Sequence, residues 1–180
     1  MGDVFFAVSS EFEDSADTRG ILYWLGTNGG TTEWCNPGER ELVTVSRSSY
    51  GHGKAMDVAD RKASWCSTSN KPNQWWKIDF GDKTAVNVAA YSLRHGWSGS
   101  AGALRNWSLE GSNDNKRWGT LIQHRNDATL NGKYAFATWK VDAGEAYYRY
   151  LRVRQTGKNS AGTHALRLCG MEVYGQIKFL

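Results

Sequence analysis

The sequence predicts an all-β fold, an antiparallel β-sandwich, and three observations predict it. Apolar residues recur at every second position, most plainly in Trp76-Lys77-Ile78-Asp79-Phe80. Twenty Gly residues, with clusters of Ser, Asn and Asp, break the chain at short intervals, as the turns of a sandwich require. Nine Trp, eight Tyr and six Phe supply large rings suited to a two-sheet core. Helical periodicity is hard to find anywhere in the chain.

Taken in order, Ile21-Leu22-Tyr23-Trp24-Leu25 is short, apolar and stopped by Gly26-Thr27-Asn28-Gly29-Gly30, which predicts a strand entering a tight loop. Val43-Thr44-Val45 is a second short strand. From Arg47 to Asn73 the chain is mostly polar and reads as a long surface excursion. In the next strand Trp76, Ile78 and Phe80 face one way, and Lys77 and Asp79 the other. After a turn at Gly81-Asp82-Lys83, the stretch from Ala85 to Leu93 is apolar on both faces, which predicts a central strand covered on both sides. Gly96 to Gly102 is a Gly/Ser loop carrying Trp97. Trp107 and Leu109 alternate inward, and Ser112-Asn113-Asp114-Asn115 is a turn. Trp118 to Gln123, Tyr134 to Val141 and Tyr148 to Arg154 are three further strands; a loop at Gly157 to Gly162 and a closing strand from Leu166 to Tyr174 follow. Residues 1–19 read as a lead-in, acidic from Glu11 to Asp17, residues 20–175 as the domain, and 176–180 as a short tail.

The composition narrows the function. Hydrophobic residues at 40% and charged residues at 22% suit one packed domain rather than a disordered chain. The start of the chain lacks the basic and apolar regions of a secretory signal, and no run is long and apolar enough for a membrane span. A net charge of +4, without any Lys/Arg block, is no footprint for duplex nucleic acid. Cys35, Cys66 and Cys169 are odd in number and lack a CxxC, and the four His are scattered; reduced thiols, no metal site, no cofactor and a cytoplasmic or nuclear setting are expected. Asn106-Trp107-Ser108 is a sequon inside an expected strand and is taken as accidental. No nucleophile elbow, phosphate loop, zinc helix motif or carboxylate pair is present, so a catalyst is not expected. Asp79 is expected to serve as a structural partner for a strand arginine such as Arg152.

Four ordered motifs carry a family resemblance. Gln74-Trp75-Trp76-Lys77-Ile78-Asp79-Phe80-Gly81, the run from Trp107 to Trp118, Tyr148-Arg149-Tyr150-Leu151-Arg152-Val153, and Gly170-Met171-Glu172-Val173-Tyr174-Gly175 resemble the strand motifs of discoidin domains. These are also called F5/8 type C or galactose-binding-like domains, with a jelly-roll sandwich fold. Gly20-Ile21-Leu22-Tyr23-Trp24-Leu25-Gly26-Thr27-Asn28-Gly29, Trp34 with Asn36-Pro37, Tyr91-Ser92-Leu93-Arg94-His95, Leu104-Arg105-Asn106-Trp107 and Thr156-Gly157-Lys158-Asn159 resemble an intracellular branch of the same superfamily, found beside HECT ubiquitin-ligase modules and in BTB adaptor proteins. The end-to-end disulfide of the secreted members has no counterpart here.

The strands Trp76–Phe80 and Ala85–Leu93 are expected to be antiparallel neighbours, which puts the loops Ser67–Gln74 and His95–Ala103 at one end. The resembled fold implies that Thr156–His164 comes to that end as well. The candidate site is then Asn70, Lys71, Arg94, His95, Trp97, Arg154, Lys158, Asn159 and His164. Rings, cations and amides together suit an anionic protein or peptide ligand, a glycan stacked on Trp97, or an anionic head group. Each residue also has a structural role open to it. His95 and His164 can be internal hydrogen-bonders, Arg94 and Arg154 strand-end charges, and Asn70 and Asn159 turn formers. Three functions follow: a protein- or peptide-recognition module, which the resemblance implies is the substrate- or partner-binding part of a ubiquitin-ligase-type protein, a carbohydrate-binding module, or a structural interaction domain.

Overall fold

A computed structural model of the chain describes residues 18–142 and 144–180. The acidic stretch from Glu11 to Asp17 lies outside the described residues. Eight strands form two antiparallel sheets: β1 (Thr44–Arg47), β2 (Trp75–Asp79), β3 (Thr84–His95), β4 (Trp107–Ser112), β5 (Gly119–His124), β6 (Phe136–Lys140), β7 (Tyr150–Gln155) and β8 (Leu168–Phe179). One sheet has five strands in the order β1-β2-β7-β4-β5, the other three in the order β6-β3-β8. The discoidin-like sandwich expected from the sequence is thus the fold.

The period of two does what it should in β2. Trp76, Ile78 and Phe80 are buried, while Trp75, Lys77 and Asp79 line the outer face. β3 is central in its sheet, and a helix α1 (Ile21–Gly26) and a 3-10 turn (Ala55–Ala59) pack on its neighbour β8. Rings from both sheets meet in the core. The Trp107 indole N–H can only donate, so its 2.8 Å contact with the Tyr91 hydroxyl makes that oxygen the acceptor. Tyr91 then donates to His124 Nε2 at 2.8 Å, and His124 Nδ1–H faces Asp127 at 3.0 Å. Burial lowers the His124 pKa, against the pull of Asp127, and a neutral imidazole fits this chain of donors.

Four expectations are corrected. Ile21 to Leu25 is helical, not extended. Both carboxylate oxygens of Glu172 accept backbone N–H groups from its first turn, Leu22 at 2.7 Å and Tyr23 at 3.0 Å. Ile21, Leu22 and Leu25 then fall on one buried stripe, a spacing that five apolar residues in a row cannot reveal. β2 and β3 are not sheet neighbours. β2 pairs with β1 and β7, and the turn through Gly81 (φ +88) carries the chain from one sheet to the other. β2 has one apolar face and β3 has two, so they belong to sheets with different surroundings. Asp79 pairs with Arg149 at 2.8 Å, while Arg152 pairs with Glu110 at 2.6 Å. Finally, β8 runs past Gly175 to Phe179, setting Gln176 to Phe179 opposite Asn87 to Thr84. Gly175 (φ +145) allows that extension: a Cβ there would lie 2.1 Å from the Asn87 carbonyl oxygen.

Candidate functional site

The crossover between sheets still brings the loop before β2 and the loop after β3 to one end of the sandwich, because the two strands run in opposite directions. The backbone records this. Cys66 N–H donates to the Gly96 carbonyl at 3.1 Å, Thr68 N–H to Leu166 at 2.9 Å, and Gly96 N–H to Arg167 at 3.1 Å. The side chain of Asn70 accepts from His164 N–H at 2.8 Å, and Ser160 N–H reaches the Ala103 carbonyl at 2.9 Å. A fourth segment joins from the excursion after β1. The Arg47 guanidinium donates to the carbonyls of His52, Gly53 and Ser67, which ties that loop to the others.

Five of the nine candidate residues lie on this surface. Asn70, Lys71 and Lys158 are exposed; Trp97 and His164 are half-buried. The other four do not reach it: two are buried at this end and two lie on the outer sheet faces. Asn159 is buried and spends its amide on Thr163 and Ala165, holding its own loop. His95 is fully buried at the end of β3, where burial lowers its pKa and keeps it neutral. Arg94 turns to the outer face of the three-stranded sheet, into a cavity under α1. Arg154 lies on the outer face of the five-stranded sheet, bonded to Glu110 at 2.8 Å.

Three residues were missed by the sequence reading, and they dominate the surface. Trp65 is 44% exposed and Tyr50 75% exposed. His52 stacks on Trp65 with centroids 3.6 Å apart, Trp65 meets the edge of Trp97 at 4.7 Å, and Arg167 sits over Trp97 at 5.4 Å. Arg47 lies over Tyr50 at 5.0 Å. The signal was present: Trp65 and Tyr50 stand in polar stretches without any strand period, where rings have no core to enter. Such an array of rings beside cations can stack on a ligand and attract negative charge. The Tyr91–His124–Asp127 chain has the composition of a proton relay but lies inside the sandwich, with Tyr91 wholly buried. Among the described residues no three His, Cys, Asp or Glu side chains are grouped to hold a metal, and all three cysteines are free thiols. No helix among the described residues is long and apolar enough to cross a membrane.

Comparison with known proteins adds three kinds of finding. The F5/8 type C domain model matches residues 41–169. Over 168 residues the chain is 39% identical to the E3 ubiquitin-protein ligase hecd-1 of Caenorhabditis elegans, and over 170 residues 36% identical to the E3 ubiquitin-protein ligase Ufd4 of Drosophila melanogaster. Each match takes in 89% of this chain but only 6% of the ligase. A BTB/POZ domain-containing protein of Arabidopsis thaliana is 26% identical over 174 residues, covering 90% of this chain and 21% of that protein. Among solved structures, the lectin domain of lectinolysin complexed with Lewis B antigen is 26% identical with a TM-score of 0.57, covering 73% of this chain and 91% of that one. A family 32 carbohydrate-binding module of Clostridium perfringens, in complex with GalNAc-β-1,3-galactose, reaches a TM-score of 0.61 over 75% of this chain and 96% of its own; at 12% identity it speaks to the fold alone.

Proposed function

The chain belongs to the F5/8 type C domain family, a family of binding modules rather than catalysts, and we propose that it binds a protein or peptide ligand on the loop end of the sandwich. In this reading it is the substrate- or partner-binding part of a ubiquitin-ligase-type protein working in the cytoplasm or nucleus. The observation that carries the reading is the ring cluster of His52, Trp65 and Trp97, with Trp65 largely open to solvent, on the same loop end as exposed Tyr50, Lys71 and Lys158. Exposed Trp and Tyr at a shared centre are the residue types on which binding energy concentrates, and lysines at the rim select an acidic ligand through screened charge. The kinship with ubiquitin ligases supports a polypeptide ligand.

A glycan is the second reading, favoured by the lectin domain complexed with Lewis B antigen. The two are separated by presenting the chain and its Trp65→Ala, Trp97→Ala and Lys158→Ala variants to an acidic-peptide array and a glycan array. Peptide binding that falls tenfold or more in either Trp variant, and that weakens with salt for parent but less so for Lys158→Ala, supports the proposal. Retention on glycans alone transfers the site to sugar, and undiminished binding by all three variants moves it off the loop end.

A further inference from the structure

Arg94 was expected at the loop end and lies instead under α1, only 5% exposed. Its Nη1 is sealed from solvent and has no hydrogen-bond partner among the described residues. Its guanidinium lies over the Phe136 ring at 6.0 Å and beside the Cys169 thiol, which burial keeps protonated and uncharged. The arginines on the outer face of the five-stranded sheet each have a carboxylate: Arg149, just before β7, has Asp79, and Arg152 and Arg154 share Glu110. Arg94 has none among the described residues. A buried cation without an anion is unfavourable, and a ring face and a neutral thiol compensate it only in part.

Arg94 lines a cavity of about 20 Å³ whose walls include Tyr23, Trp34, Arg61, Phe136 and Glu172. Glu172 does not neutralise Arg94, since its two oxygens are taken by the backbone N–H groups of Leu22 and Tyr23. The space holds about one or two water-sized groups. That suits the two oxygens of a carboxylate and is cramped for the four of a phosphate. A guanidinium presents paired N–H donors matched to a carboxylate. The geometry points to a second binding site, separate from the loop end, in which Arg94 receives a carboxylate from a polypeptide: an Asp or Glu side chain or a free C-terminus. The ring walls cover the carbon adjoining that carboxylate.

The probe is sodium acetate, titrated at constant ionic strength against sodium chloride and sodium phosphate, with the Arg94 Nε–Hε resonance and the Tm as readouts. Acetate is expected to shift the resonance saturably and to raise Tm, with phosphate matching chloride. Arg94→Met should abolish the acetate response while keeping or raising the Tm in chloride, because it removes an unpaired buried charge. If Arg94→Met does not fold, Arg94→Lys serves, with acetate affinity reduced about tenfold by loss of the paired donors. Two capped hexapeptides then separate the sources, one with a Glu side chain and an amidated end, the other neutral with a free C-terminus. No acetate response in the parent means that water alone fills the cavity and overturns the site. An undiminished response in Arg94→Met or Arg94→Lys, or a folded Arg94→Met with a much lower Tm in chloride, overturns it as well.

Discussion

The two outer faces of the sandwich treat charge in opposite ways. On the five-stranded sheet, Glu110 is 3% exposed on β4, and Arg152 and Arg154 of β7 close over it at 2.6 and 2.8 Å. Ser108 adds a fourth member at 2.8 Å. Burial alone would raise the Glu110 pKa; the donors of Ser108, Arg152 and Arg154 outweigh it and hold the carboxyl below its usual range. On the three-stranded sheet an acid and an arginine line one cavity yet do not pair: Glu172 faces the backbone of α1, and Arg94 faces a ring and a thiol. There, burial pushes the Glu172 pKa up to about 7. The first face is a closed structural network. The second has polar capacity left over, and capacity left over is where a ligand gains most.

The largest effect that can break this contrast is at Glu110. Glu110→Ala leaves two arginines facing each other across one buried gap, and is expected to cost about 3–5 kcal/mol in chemical denaturation. A loss under about 1 kcal/mol would mean that the network is no more than a set of solvated surface pairs.

Next in size is a pH dependence that belongs to the other face. With its folded pKa near 7 and an ordinary value of 4.5, Glu172 holds a proton in the folded state that the unfolded chain releases. Its contribution is therefore full below about 4.5 and is lost as pH rises through 7, on the order of 3 kcal/mol across the window. Arg61, Asp60 and Arg94 line the same cavity, and the Arg61 charge pulls the Glu172 pKa down against burial. His95 and His124, whose pKa values are lowered by burial, act in the opposite direction over neighbouring pH. The measurement is thus a difference: unfolding free energy against pH for the parent minus that for Glu172→Gln. A flat difference between pH 4.5 and 7.5 would show that Glu172 is ionised throughout.

The smallest effect sharpens the comparison of the arginines themselves. Arg154→Met removes one of two cations from Glu110 while leaving Arg152 and Ser108 in place. With its side chain about a third exposed, the cost is expected to be about 1 kcal/mol in urea unfolding. The same change at Arg94 is expected to cost nothing. Equal losses at the two positions would erase the distinction between the faces.

Much of the fold was legible because period-two strands state their own burial. Trp76, Ile78 and Phe80 had to enter a core, and Trp107 with Leu109 likewise. The helix at Ile21–Gly26 was not legible, because five apolar residues in a row fit a buried strand as well as a buried helix, and the group that decides is Glu172, 150 residues away at its bond to Leu22. The candidate site divided in the same way. Asn70, Lys71, Trp97, Lys158 and His164 lie at the surface of the loops that chain direction brings to one end. Arg94 was not, since its position on β3 says nothing about which face receives it.

The sequence by itself determined the sandwich, the shared end of three loops and the family motifs. All of these rest on local pattern and chain direction, which neighbouring residues encode. Tertiary structure alone decided which strands share a sheet, that Trp65 joins Trp97, that Arg154 is neutralised and that Arg94 is not. Those outcomes depend on partners brought from distant parts of the chain. A side chain's charge is written in the sequence, but whether another group satisfies it depends on what folding places within a few ångströms.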